Sequence, residues 1–287
     1  MKFLITNLFL FTSVYIFSQS PAPDAYSITS EIVAENSLEG EGAIVQDSLK
    51  VFEQRPEPDV YPTKKGTLTV RPILHGTLVL EWNNHTIYID PYDSAKVFEG
   101  LKTPNLILIT DIHGDHLNQK TLDDLNTKNS KFIVPQAVAD KISENYRDRL
   151  IIIKNGEETT LMGIKIKAIP MYNLPENDSS KHTKGRGNGY ILNFSGTKVY
   201  ISGDTEDIKE MRELKKIDIA FVCMNLPYTM DINQAASAVL DFKPKIVYPY
   251  HYRGKPGLSD IEAFKELVNK GNPSIIVKLR DWYAVKP

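Results

Sequence analysis

Leu106-Ile107-Leu108-Ile109-Thr110 is an unbroken apolar and β-branched run, the mark of a strand buried on both faces and so of a sheet covered on each side. The chain then changes character at once, because Asp111-Ile112-His113-Gly114-Asp115-His116 places two imidazoles and two carboxylates in one short loop. Charged groups are costly at the end of a buried strand unless each finds a partner or a cation. A divalent metal supplies that partner. Imidazole nitrogen with carboxylate oxygen suits zinc, and also manganese or iron. The lack of cysteine donors points away from a closed structural zinc site and towards an open catalytic one. The plain alternative is a polar loop capping a helix that starts near Asn118. The density of donors, and their companions downstream, favour the metal.

At 287 residues the chain is long enough for one large α/β domain or two small ones. A formal net charge of -2 and a pI near 6.3 leave no basic surplus, so nucleic acid is not an expected partner. The single cysteine, Cys223, lies in an apolar run from Ile217 to Met224 and reads as a buried, inert thiol. The first residues read as a processing signal: Lys2 gives a positive start, Phe3 to Phe17 is mostly apolar, and Ser18-Gln19-Ser20 precedes Pro21. A secretory signal over residues 1–19 implies a periplasmic or secreted protein. Membrane contact would follow only if that segment stayed uncleaved, and it is shorter than the roughly 20 apolar residues of a spanning helix.

Residues 20–65 are rich in Pro, Ser, Glu and Asp and read as a tail or lead-in. Strands are expected at Thr67 to Val70, Gly76 to Trp82 and Thr86 to Asp90, the last two forming a hairpin across Asn83-Asn84. Further strands are expected at Phe132 to Val134, Leu150 to Ile153, Ile164 to Ile169, Gly189 to Phe194, Lys198 to Ser202, Ile217 to Val222, Ile246 to Tyr248 and Ser274 to Leu279. Helices are expected near Gln136 to Asn145, Glu206 to Leu214, Asp231 to Leu240 and Ser259 to Asn269. Early meandering strands with helices between the later ones predict a two-sheet core with helices outside.

Two later strands repeat the pattern of the first motif. Lys198 to Ser202 runs into Gly203-Asp204-Thr205, where Gly203 permits a sharp turn, and Asp204 can serve as a metal donor, as a helix cap, or as both. Ile246 to Tyr250 leads to His251. These three loops together resemble those of the metallo-β-lactamase fold hydrolases. His75-Gly76-Thr77 and Ile89-Asp90-Pro91 look like the branch with N-acyl-phosphatidylethanolamine phospholipase D and ascorbate-phosphate lactonases.

The resemblance covers about Leu68 to Arg280. It implies an α/β fold, a four-layer αββα sandwich over residues 66–287, with metals at one edge. It further implies Asp111 and His113 at a first metal position, Asp115, His116 and His251 at a second, and Asp204 bridging. The chain departs from the family where Asp111 replaces the usual first histidine, and where Pro170-Met171-Tyr172-Asn173 stands in place of another histidine ligand. The first position is then weak, or filled by an oxygen-preferring metal, or completed by His182. A single tightly held metal is compatible with this.

Lys181 to Gly187 is a basic stretch that could bring Lys184 and Arg186 to an anionic small-molecule substrate. Tyr228 could line the pocket, and the resemblance brings His75 near the site. The expected chemistry is hydrolysis of an ester, lactone, amide or phosphodiester by hydroxide formed at the metal, with one or two zinc ions as cofactor and Asp115 orienting the nucleophile or moving its proton. The alternatives are an iron-dependent oxidoreductase of the same fold and a metal-binding protein without catalysis.

Overall fold

The computed structural model describes residues 55–284, so the expected signal segment and most of the lead-in lie outside the described residues. Two seven-stranded sheets form the scaffold. In the first, β1 (Asp59–Thr63), β2 (Gly66–Leu74), β3 (Thr77–Trp82) and β4 (His85–Ile89) run antiparallel, and β5 (Leu106–Leu108), β6 (Lys131–Val134) and β7 (Leu150–Ile152) continue parallel to β4. The second sheet repeats that plan. Here β8 (Glu158–Leu161), β9 (Ile164–Met171), β10 (Gly187–Phe194) and β11 (Thr197–Ile201) are antiparallel. They are followed by parallel β12 (Ile219–Cys223) and β13 (Ile246–Tyr250). A small hairpin of β14 (Arg253–Gly254) and β15 (Gly257–Leu258) precedes the last parallel strand, β16 (Ile276–Val277).

The sheets share one core, in which the inner strands carry the apolar runs seen in the sequence. Leu106, Ile107 and Leu108 are wholly buried, as are Ala220, Phe221 and Val222. Full burial of a side chain such as Leu106 contributes roughly 1.5–3 kcal/mol. The sheets are also stitched by polar contacts, since the buried Tyr190 hydroxyl of β10 donates to Ile109 O at 2.8 Å. With helices outside, the chain forms the αββα sandwich. The hairpin between β3 and β4 turns at Asn83 and Asn84, both at positive φ (48° and 62°), as a two-residue turn matched to strand twist requires.

Several elements differ from expectation. β1 falls within the segment read as lead-in; its Pro62 is tolerated because β1 is an edge strand. The buried carboxylate of Asp59 ties this strand down, bonding to Arg280 and to the Tyr248 hydroxyl at 2.8 Å. β8 was not expected, being short and polar. The helix expected near Gln136 to Asn145 is two pieces, Gln136–Ala139 and a 3-10 turn over Glu144–Arg149, divided at Ser143, whose hydroxyl accepts from Asn145 N. The helix near Glu206 shortens to Lys209–Arg212, and the last strand to Ile276–Val277. Ile232–Phe242 is a full helix because Asp231 and Gln234 form a reciprocal cap at its start. Among the described residues no helix is long and apolar enough to cross a membrane.

Candidate metal centre

Four of the parallel strands deliver polar residues from their carboxyl ends, the edge at which open α/β sheets hold ligands. β4 ends at Asp90, β5 leads into Asp111 to His116, β11 into Asp204, and β13 into His251. Asp90 organises the first motif. Its Oδ1 accepts from Thr110 N at 2.7 Å, and its Oδ2 accepts from Thr110 Oγ1 at 2.6 Å and lies 2.8 Å from His116 Nδ1. With Nδ1 so engaged, His116 presents Nε2 inward.

Around that nitrogen lie His251 Nε2 at 3.3 Å, Asp204 Oδ2 at 3.3 Å and Asp115 Oδ1 at 3.9 Å. His251 Nε2 is 3.3 Å from Asp204 Oδ1 and 3.5 Å from Asp115 Oδ2. His75 closes the group from β2, with Nε2 3.3 Å from Asp115 Oδ2. Its Nδ1 lies 2.8 Å from the Tyr283 hydroxyl, which accepts from Arg253 N. Gly76 is small of necessity, since a Cβ there would meet His251 Cδ2 at 3.0 Å and His116 Cε1 at 3.6 Å. Gly203, at φ +62°, lets β11 turn sharply and deliver Asp204, and its N–H donates to the Tyr250 hydroxyl.

A second group of donors adjoins the first. Asp111 Oδ2 is 2.7 Å from His113 Nδ1 and 3.9 Å from His182 Nε2, and His182 Nε2 is 3.1 Å from Asp204 Oδ2. Asp204 thus lies between the two groups. Asn173, considered in the sequence as a ligand, is not aimed at this space: its Oδ1 accepts from His182 N at 2.7 Å and lies 3.1 Å from His182 Nδ1, while its amide donates to Tyr228 O and Glu206. Asn173 therefore orients His182, whose Nε2 faces Asp204.

These residues fit a metal. The buried His182 Nε2 and Asp204 Oδ1 make no hydrogen bond, although each crowds other donors. Among the described residues, three sets of three donors lie within 4.8 Å of one another: His75, Asp115 and His251; Asp111, His113 and His182; and His116, Asp204 and His251. Nitrogen and carboxylate oxygen, with no thiolate, is the chemistry of an open zinc-type centre.

Without the metal, the charges settle on one another. Burial opposes a proton on His116, but Asp204, Asp115 and Asp90 outweigh it and raise the imidazole well above its ordinary value. Burial likewise opposes ionisation of Asp204, yet His251 and His116 hold it well below the usual carboxylate range. For His75 burial and His251 win, lowering it to about 4. A raised imidazole stabilises the metal-free fold fully below its unfolded value of about 6.5, and that contribution fades as pH rises through the folded value. The metal needs the neutral ring, so binding must displace this proton. Affinity is expected to rise by up to roughly tenfold per pH unit below the folded value, with about one proton released per ion. Calorimetry in buffers of different ionisation enthalpy measures the release; identical heats in all buffers would contradict it.

Asp90 entered the sequence analysis only within the motif Ile89-Asp90-Pro91 and was given no role at the site. Asp90→Asn would turn an N–H group towards His116 Nδ1 and is expected to weaken metal binding roughly 10–100-fold. A chelator-competition titration reads this directly, and unchanged affinity would show that His116 needs no such partner.

A cavity of about 330 Å³ opens onto the donors, lined by His113, Gly114, Asp115, Lys181, His182, Asp204, Asn225 and Tyr228. Larger hollows of about 580 and 360 Å³ border the Asn83-Asn84 turn, and none of the donor groups reaches them. Two residues expected at the substrate are committed elsewhere. Lys184 Nζ pairs with Glu176 at 2.8 Å and Glu210 at 3.5 Å, and Arg186 forks onto Asp111. Lys181, one residue of the basic stretch, is the cation that lines the cavity.

Comparison with known proteins identifies the family. The β-lactamase superfamily domain matches residues 70–251, and the chain belongs to that superfamily. A UPF0173 metal-dependent hydrolase from Pyrococcus horikoshii is 31% identical over 214 residues, covering 71% of this chain and 93% of its own. The crystal structure of a protein described as a metal-dependent hydrolase from Parabacteroides distasonis superposes with a TM-score of 0.69 at 39% identity, over 78% of this chain and 98% of that one. Igni18, a metallo hydrolase from Ignicoccus hospitalis, shares the fold at 24% identity and a TM-score of 0.64, over 74% of this chain and 94% of its own. Within its superfamily the chain is a metal-dependent hydrolase.

Proposed function

We propose that the chain uses zinc to hydrolyse an ester-type bond, carboxylic ester, lactone or phosphodiester, in a small anionic molecule. The observation that carries this reading is the convergence of Asp115, His116, Asp204 and His251 beside a cavity whose lining includes Asp115, Asp204 and Lys181. Asp115, His116, Asp204 and His251 would hold the zinc ion, which would lower the pKa of a bound water towards about 7 and polarise a carbonyl or phosphoryl oxygen.

The chain's own residues do the rest. Asp115 has the most exposed carboxylate of the group, and with His75 Nε2 beside Oδ2 it can orient the attacking water and take its proton. Lys181, whose Nζ lies 5.9 Å from the centre of the Tyr228 ring, attracts the anionic part of the substrate, and that ring walls the cavity. An amide substrate was weighed equally in the sequence; the cation in the cavity favours the anionic esters. The apolar start of the chain supports export to the periplasm or exterior.

The test is a panel of nitrophenyl phosphodiesters, carboxylic esters, lactones and anilides, assayed with zinc-loaded and chelated protein. Turnover of an anionic ester, lost on chelation and weakened in KM by Lys181→Ala, supports the reading. Turnover that survives chelation, or none by the loaded protein, overturns it, and oxygen uptake by an iron-loaded form would replace hydrolysis with redox chemistry.

A further inference from the structure

The two donor groups differ in charge. Asp115 and Asp204 face only imidazoles and together carry the charge of one divalent cation in the group with His116 and His251. Asp111, the carboxylate of the other group, is already paired. Arg186 Nε donates to Asp111 Oδ1 at 3.1 Å and Nη2 to Oδ2 at 3.0 Å, a two-pronged pairing in which the guanidinium fork matches the carboxylate plane. His113 Nδ1 sits 2.7 Å from the same Oδ2, so both oxygens are engaged.

This fork is built in. Asp111 is fully buried, Nη2 of Arg186 also donates to Lys181 O at 2.8 Å, and Arg186 N closes a turn onto Thr183 O. β10 begins at the next residue, where Asn188 N donates to Thr110 O at 2.9 Å and fixes the strand against the residue before Asp111. The arginine therefore enters the donor group from a rigid strand end, not from a free loop.

Resting on the reading of this site as a metal centre, we propose that Arg186 takes the place of a second metal charge: the centre holds one divalent ion tightly, among Asp115, His116, Asp204 and His251, and the position of Asp111, His113 and His182 fills only when the fork opens. An ion entering there must displace the guanidinium from both oxygens of Asp111, or share that carboxylate with it at close range. Arg186 is thus a positioning residue that sets metal stoichiometry, and it keeps His113 and His182 available at the cavity wall for substrate.

Zinc titration against a chromophoric chelator, with elemental analysis after dialysis, tests this on the whole chain. The wild-type protein is expected to hold one zinc ion tightly and a second at least about 100-fold more weakly. Arg186→Gln, which frees Asp111, is expected to strengthen the second event by roughly 10–100-fold, the range in which outer partners tune metal sites. Arg186→Lys keeps the charge without the fork and is expected to fall between them, which guards against a glutamine variant that does not fold. Two equally tight ions in the wild-type protein, or no gain in either variant, overturns the proposal and leaves the hydrolase reading standing. A wild-type protein that binds no zinc overturns both.

Discussion

Asp204→Ala is expected to strip the centre of metal and to destabilise the metal-free protein. Its two oxygens reach into both donor groups, Oδ1 towards His251 and Oδ2 towards His116 and His182, so one substitution weakens every position at once. Losing even an outer partner of a metal ligand costs roughly 10–100-fold in affinity, and a shared ligand should exceed that. The fold pays separately: removing one member of a buried ion pair leaves its partner uncompensated, at about 3–5 kcal/mol. The sign with pH follows from the depressed carboxyl of Asp204. Its contribution is whole above the unfolded value of about 3.9 and is withdrawn as pH falls through the folded value, so the deficit of the variant should be full at pH 7. Metal content and chelated-state denaturation check both parts; full metal and an unchanged midpoint would refute them.

Asp115→Asn is expected to weaken metal binding, because Asp115 is one of the four residues that hold the ion, and to lower kcat by about 10²–10⁴ even in the fully loaded variant. The amide keeps the shape of the side chain and its oxygen can still accept from His75 Nε2, but it cannot take a proton. Asp115 and Asp204 both line the cavity, but Asp115 is half-buried, whereas Asp111 and Asp204 are almost wholly enclosed. Steady-state kinetics on the best substrate of the panel, with metal content measured alongside, separates lost proton transfer from lost metal. Wild-type kcat in a fully loaded variant would remove Asp115 from the chemistry.

The donors were legible in the sequence wherever a buried strand announced them. Leu106 to Ile109 ahead of Asp111, Val199 to Ile201 ahead of Gly203-Asp204, and Val247 to Tyr250 ahead of His251 each show an apolar run broken by a polar residue, and the fold brings those breaks to one edge. Asp90 obeys the same rule within Ile89-Asp90-Pro91, but its partner His116 lies 26 residues on, so the motif gave no sign that it positions that imidazole. Arg186 lies 75 residues from Asp111, and no periodicity reports a pairing at that separation. Asn173 and His182 share a loop in the sequence, and only the direction of the Asn173 amide, turned towards Tyr228 O, decides which is the donor. β1 and β8 were missed because edge strands need little apolar surface, and Pro62 and the polar Glu158-Thr159-Thr160 conceal them. The short helices lost their predicted length to Ser143 and Asp207, whose side chains and backbone bond locally instead.

The central claim is that Asp115, His116, Asp204 and His251 hold a metal. Anomalous diffraction from crystals of the zinc-loaded chain, recorded on both sides of the zinc absorption edge, tests it most directly. A strong peak at about 2.0–2.2 Å from the imidazole nitrogens of His116 and His251 and from oxygens of Asp115 and Asp204 is the predicted result. A loaded, active crystal with no peak among these four residues, or with its peak elsewhere in the molecule, would contradict the account.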